Sequence, residues 1–181
     1  MKTLCIISCG KTKIWNKNPK AGPTKAESAY IGNFFNKCRE YATKFYSKSW
    51  CILSAKYGLI FPDELIPGPY EATFKNPKTN PITLKELSDQ IIEKGLNEYQ
   101  QIVIIAGKAY ADIARAVFHS KKILTPLSEC KRNGYMMQKL NESINTLYGV
   151  STSDPEMRKV NQLLKDQLFH TASVIQDVDA R

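Results

Sequence analysis

Thr3-Leu4-Cys5-Ile6-Ile7-Ser8-Cys9-Gly10-Lys11-Thr12-Lys13 is the stretch that decides the fold. Leu4 to Ile7 is an apolar run without polar alternation, which is the mark of a strand covered on both faces by helices. The run stops at hydroxyls, a glycine and two lysines. In an open parallel sheet, ligands sit outside the carboxyl ends of the strands, so this loop is a candidate site, with an ordinary solvated connection as the alternative.

Working outward, residues 14–23 are polar and carry Pro19, Gly22 and Pro23, which reads as a surface excursion. Thr24 and Glu27 form a capping-box pattern that predicts a helix of about 20 residues with Ala26, Tyr30, Phe34, Cys38 and Tyr41 along its core stripe. Trp50 to Leu53 is a second buried strand, followed by Ser54-Ala55-Lys56-Tyr57-Gly58, a loop of the same character as the first. Residues 59–80 hold prolines and aromatics without periodicity, and a segment of that length reads as a wall of the site. Thr83 and Glu86 predict another capped helix, with Leu84, Leu87, Ile91 and Ile92 as its apolar stripe. Residues 101–106 are a third strand, 108–118 a helix, 122–124 a shorter strand, and 134–147 a helix with Asn133 as its cap. Ser153, Pro155 and Glu156 start a last helix that places Val160, Leu163, Leu164 and Leu168 on one face. Strand and helix alternate with crossovers too long for hairpins, which predicts a three-layer α/β sandwich with about four parallel strands. Residues 1–170 form a single domain in this reading, and 171–181 a polar tail.

Charge is uneven: the chain carries +9, and residues 1–50 hold ten basic and two acidic groups whereas 51–100 hold five and seven. Such a basic face suits phosphate-bearing partners, nucleic acid or a nucleotide. Five scattered cysteines and two histidines, without a Cys-x-x-Cys pair, supply little for a metal site, so no metal or cofactor is expected. Scattered thiols inside apolar runs fit a reducing compartment, and no apolar run of about 18 residues or signal-peptide pattern occurs; a cytoplasmic protein without a membrane partner is expected.

Two pieces carry a family resemblance. Ile102-Val103-Ile104-Ile105-Ala106-Gly107-Lys108-Ala109-Tyr110-Ala111 is similar to the third strand and helix start of the uracil-DNA glycosylase-like superfamily. Leu124-Thr125-Pro126-Leu127-Ser128, with Arg132 and Gly134 after it, is similar to that superfamily's last-strand loop, which enters the DNA minor groove. The residues 8–13, 26–32 and 52–59 together resemble an uncharacterised prokaryotic domain family whose Ser-Cys-x-Lys and Leu-Ser-Ala-Lys-x-Gly-Leu motifs are similar to the core domain of archaeosine synthase. The resemblance implies a uracil-DNA glycosylase-like scaffold acting on a nucleic-acid base. Two departures bound it: the loop equivalent to the superfamily's Gly-Gln-Asp-Pro-Tyr has no carboxylate, and Leu124 and Thr125 stand where a catalytic histidine would. Ordinary uracil excision is therefore not expected, since a fold does not fix a function.

The residues sort into roles. Lys11 and Lys56, each beyond a strand end, can hold a phosphate or stabilise charge on a leaving base, and Glu71 is the favoured carboxylate among Asp63, Glu64 and Glu71 for oxocarbenium-like chemistry. Ser8, Cys9, Gly10 and Ser54 are candidates for polar substrate contacts, and Tyr57, Phe61 and Tyr70 for stacking on a base. Lys13, Ser128, Lys131 and Arg132 are the expected nucleic-acid contacts. The expected function is processing of a nucleic-acid base, nucleoside or nucleotide by an N-glycosidase or base-exchange enzyme; the alternative is a non-catalytic nucleic-acid or nucleotide binding module.

Overall fold

A computed structural model describes residues 2–130 and 132–146, together with Lys159 and Gln162. In chain order the elements are β1 (Thr3–Ser8), α1 (Ile14–Lys17), β2 (Thr24–Lys25), α2 (Ala26–Ala29), α3 (Asn33–Phe45), β3 (Trp50–Ser54), β4 (Gly58–Ile60), β5 (Leu65–Ile66), α4 (Leu84–Glu93), β6 (Gln101–Ile105), α5 (Lys108–Val117), β7 (Lys122–Leu124) and α6 (Asn133–Thr146). The expected helix over Ser153, Pro155 and Glu156, the 171–181 tail and Lys131 lie outside the described residues.

Five strands form one sheet in the order β4-β3-β1-β6-β7. The pairs β1–β3, β1–β6 and β6–β7 are parallel, and β4 is an antiparallel edge. β1, β3 and β6 are buried at every position, because helices cover both faces of the sheet. Successive β1 side chains alternate between the faces: Cys5 and Ile7 join a core with Phe35 and Cys38 of α3 and Leu140 of α6, while Leu4 and Ile6 join one with Leu87 of α4 and Ala111 of α5. The result is a mixed α/β fold with a mostly parallel sheet between helical layers.

Topology locates the crevice. The chain leaves β1 and returns beside it as β3 after α3, whereas it leaves β6 and returns on the other side as β7 after α5. The two connections pack on opposite faces of the sheet. Their loops therefore part between β1 and β6, which is a topological switch point.

Four segments differ from their sequence reading, one of them being 58–66, where β4 and β5 form in place of an aperiodic wall and β4 adds an antiparallel fifth strand to the sheet. The predicted helix from residue 24 is broken: Thr24 caps nothing and instead pairs in β2 with Ile66 of β5, and Tyr30, with φ −97° and ψ 123°, is extended between α2 and α3. The break arises because Ile31 N–H donates to Thr12 O at 3.0 Å and Tyr30 bridges Lys13, so the first loop takes the backbone partners a continuous helix would use. Residues 14–23 are anchored rather than a mere excursion, since Trp15 is buried and its Nε1 donates to Ala21 O at 2.7 Å. The α4 capping box forms as read, with Thr83 Oγ1 accepting from Glu86 N and Glu86 Oε2 accepting from Thr83 N, but only Leu87 and Ile91 of its stripe are buried; Leu84 and Ile92 are exposed.

Candidate functional site

A cavity of about 1120 Å³ opens at the carboxyl ends of the parallel strands. Ser8 to Lys11 and Lys13 line it after β1, Gly107 to Tyr110 after β6, and Ser128 to Cys130 after β7; Tyr70 to Thr73 close another side. It is slightly larger than the roughly 300–1,000 Å³ of most small-molecule pockets.

The first loop is built by close approach. Cys9 N–H continues the parallel ladder by donating to Leu53 O at 3.0 Å. A Cβ on Gly10 would lie 3.3 Å from the Cβ atoms of both Phe35 and Tyr30, so only glycine lets the loop pass over the start of α3 without displacement. Beyond it Lys13 folds inward and is only 8% exposed. Its Nζ donates to Lys11 O at 3.3 Å and sits 4.3 Å from the centre of the Tyr70 ring. No ion pair among the described residues includes Lys13. A desolvated ammonium is costly without an anion, and a cation–π contact of roughly 0.5–2 kcal/mol offsets only part of that. Lys13 thus lines the cavity with an ammonium that meets a backbone carbonyl and a ring face, and no carboxylate, among the described residues.

Tyr70 is fixed by a chain of hydroxyls. Ser54 Oγ accepts from the amides of Lys56 and Tyr57 at 3.1 and 3.2 Å, which occupies its lone pairs, so its proton goes to Tyr70 Oη at 3.0 Å. Tyr70 and Tyr30 share a second bond at 2.6 Å. Across the cavity, Tyr110 Oη lies 3.3 Å from Cys9 Sγ, and its ring packs edge-on against Phe74. Burial first, and the neighbouring Cys9 second, push the Tyr30, Tyr70 and Tyr110 hydroxyls well above the ordinary phenol range. These phenols stay neutral near pH 7 and serve as hydrogen-bonding groups, not as phenolate bases.

The charged rim is largely internally paired. Asp112 accepts from Lys108 Nζ at 2.8 Å and Arg115 Nη1 at 3.1 Å, and these partners hold its carboxyl below the usual range. Arg115 also reaches Thr125 Oγ1 and, at 3.3 Å, Ser128 Oγ, which ties the loop after β7 to α5. Glu64 is engaged by Lys94 Nζ and Phe61 N–H and lies away from the cavity. Glu71 is exposed at the rim and has no ion-pair partner among the described residues.

The structure thus gathers Ser8, Cys9, Gly10, Lys11, Lys13, Tyr70, Glu71 and Ser128 around one cavity. It separates Lys56, Tyr57, Phe61 and Arg132 from it. Lys56 is exposed at the tip of the β3–β4 hairpin, because residues 54–58 turn straight back into an antiparallel strand and not toward a helix. Tyr57 spends its ring on Tyr70, edge-on at 5.1 Å, and Phe61 packs beneath Lys94. Arg132 is exposed outside the lining, and Ser54 acts on the cavity only through Tyr70. Sequence reasoning missed Tyr30 and Tyr110, both assigned to helix packing, and did not single out Arg115. Tyr110 had a visible signal, since it stands in the first turn after the strand-ending Gly107, but Tyr30 needed the helix break.

The chain belongs to a family of unknown function, DUF6884, whose model matches residues 4–142, from β1 into α6. The matched stretch contains every loop that builds the cavity. The chain is also 43% identical over 145 residues to the uncharacterized protein YfjM of Bacillus subtilis (strain 168), an alignment that spans 80% of this chain and 96% of that protein. No solved structure matches the chain at a significant level. Among the described residues no helix is long and apolar enough to cross a membrane, and no cluster of histidine, cysteine, aspartate or glutamate is arranged to hold a metal.

Proposed function

We propose that this member of the family binds a nucleotide in the cavity, phosphate at Lys13, and processes its base, on a scaffold akin to the uracil-DNA glycosylase-like superfamily. The observation that carries the reading is the buried Lys13 ammonium without a carboxylate partner at a switch-point cavity. An anion on the ligand supplies the missing partner, and a charge-assisted bond of roughly 1.5–3 kcal/mol becomes available in a desolvated place. Phe34, half-buried in the lining and without a ring partner among the described residues, offers the base a surface that Tyr57 and Tyr70, packed on each other, do not.

For the chemical step, an N-glycosidase or base exchange on that nucleotide is the form we propose: the base leaves with the bonding pair while water or an incoming base bonds to the sugar carbon, with Glu71 stabilising positive charge on the sugar and Lys11 the negative charge on the departing base. Glu71 is preferred over Asp112, which lines the cavity but is neutralised by Lys108 and Arg115, over Glu64, which Lys94 holds away from it, and over Glu129, which accepts from the Ser128 hydroxyl at 3.4 Å. The neutral tyrosines orient and exclude water rather than abstract protons. A binding module without chemistry is the competing form, and the lack of a paired carboxylate in the loop after β1 favours it.

The test is calorimetric titration with nucleosides and their 5′-monophosphates at low salt. The phosphorylated form should bind at least about tenfold tighter, and Lys13→Met should erase the difference. Equal affinity for the two forms rejects the reading. Release of free base, lost in Glu71→Gln, separates enzyme from binding module. The basic balance of residues 1–50 extends the proposal to nucleic acid, for which log K should fall with log salt by about 0.7–0.9 per phosphate contact, less steeply after Lys11 and Arg132 are replaced by alanine.

A further inference from the structure

We infer that residues 71–80 are a hinged flap over the cavity, latched by the Phe74 ring against Tyr110, which swings out to admit the ligand. The flap rests on its own bonding; what its closure accomplishes rests on the function proposed above. Every hydrogen bond of the segment among the described residues is internal. Thr73 N–H donates to Thr79 Oγ1 at 3.0 Å, Asn76 N–H to Thr73 O at 3.2 Å, and Thr79 Oγ1 to Asn76 O at 2.7 Å, around a single 3₁₀ turn over Pro77–Thr79. The remaining bonds, from the amides of Lys75 and Lys78 and from Asn80 N–H, also end inside it. Glu71, Lys75 and Lys78 enter no ion pair among the described residues. The segment is thus a small closed loop that keeps its bonds when it moves as a unit, so opening breaks none of them.

Its two ends, by contrast, are fixed to the turn after β3. Tyr70 Oη meets Ser54 Oγ and Tyr30 Oη just before the segment, and Ile82 N–H donates to Ala55 O at 2.8 Å just after it. Asn80, at φ 51°, takes the left-handed backbone that turns the chain at the second end. Between these posts Phe74 holds the flap to the body: it is half-buried against the α4–α5 core and lies edge-on to Tyr110 at 5.2 Å. An aromatic pair of this kind biases closure by roughly two- to tenfold beyond the area it buries, which keeps the flap shut without locking it.

Closure brings two parts of the site together. Glu71, Thr73 and Lys75 line the cavity from the flap, whereas Ser8, Cys9 and Lys13 line it from the fixed strand end. Under the proposed function, Glu71 reaches the sugar only with the flap down, so one swing couples ligand entry to completion of the site.

The test uses the thiols already present. Cys9 and Cys130 line the cavity and are partly buried, whereas Cys5, Cys38 and Cys51 are buried in the core. Alkylation of each by iodoacetamide, followed on the full chain by peptide mass spectrometry, reports the flap without any ligand. Phe74→Ala should speed both cavity thiols by roughly two- to tenfold and leave the core thiols unlabelled. Phe74→Tyr, which keeps the ring, should leave both at the wild-type rate. If the core thiols react in Phe74→Ala, the variant is unfolding, and Phe74→Leu repeats the test with an apolar side chain retained. Unchanged cavity-thiol rates, or acceleration of Cys9 alone, which would report only a loosened Tyr110, overturn the flap. A nucleoside 5′-monophosphate should slow both thiols in the wild-type protein and dissociate faster from Phe74→Ala. If the thiols respond to Phe74→Ala but the monophosphate does not bind, the flap stands and the proposed function falls; if it binds and the thiols are indifferent to Phe74→Ala, the reverse holds.

Discussion

Two adjacent parallel strands end in nearly the same residues, Ser8-Cys9-Gly10-Lys11 after β1 and Ser54-Ala55-Lys56-Tyr57-Gly58 after β3, and they are put to different uses. The first loop crosses the face of α3, pins the helix break at Tyr30 and carries Lys13 into the cavity. The second is a hairpin turn: Ser54 Oγ accepts its two amides, Ala55 O accepts from Ile82 N–H, and Gly58, at φ +74°, folds the chain back into β4. Its lysine is left in solvent. The destination of the chain beyond each loop makes the difference, since a chain that must cross to a distant strand sweeps over the sheet edge, whereas one that pairs at once with its own strand does not.

That contrast can be broken by experiment. The largest effect is expected at high pH. Tyr30, Tyr70 and Tyr110, which surround the first loop, have raised pKa values from burial, so between about pH 10 and their native pKa values the unfolded chain loses protons that the folded chain keeps. The contribution of these phenols to stability is fully present below about pH 10 and declines above it, by at most about 1.4 kcal/mol per pH unit for each. It comes on top of a decline from about pH 9 owed to the buried thiols of Cys5, Cys38 and Cys51, whose pKa values burial also raises. Urea denaturation from pH 8 to 11.5 should show the decline, shallower in Tyr110→Phe; a flat profile would mean that the phenols are not desolvated.

Next comes Gly58→Ala. A Cβ there would lie 2.1 Å from Gln90 Oε1, the acceptor of Leu59 N–H, on a backbone that disfavours side chains. A loss of roughly 3 kcal/mol in chemical denaturation is expected, and a loss under 1 would show that the turn is not built as described. Lys13→Met should instead spare stability, since an apolar side chain replaces a buried unpaired charge, while anionic-ligand affinity falls by about 2 kcal/mol in titration.

Tyr70→Phe links the two regions, because it removes the hydroxyl that accepts from Ser54 and meets Tyr30. Unfolding free energy should fall by roughly 1–2 kcal/mol, with the Ser54 proton left buried and unanswered. The smallest effect belongs to Lys56→Ala, which should change stability by less than about 0.5 kcal/mol and leave ligand binding alone. Weaker binding in that variant would put the second loop back into the site and dissolve the contrast.

The sequence by itself determined the four parallel strands and their environment, though not β2, β4 or β5. Apolar runs such as Leu4 to Ile7 and Ile102 to Ile105 can be satisfied only between two helical layers, and long crossovers force parallel pairing, so the sheet and the edge that bears the cavity were legible from local pattern. The α4 capping box was legible for the same reason, being a bond between residues three apart. Only the tertiary structure decided which side chains meet. The break at Tyr30, the hydroxyl chain through Ser54 and Tyr70, and the burial of Lys13 in place of Lys56 depend on partners between 16 and 57 residues away, such as Tyr70 for Lys13. Such contacts arise from strand order and from the antiparallel pairing of β4, and no local periodicity encodes either.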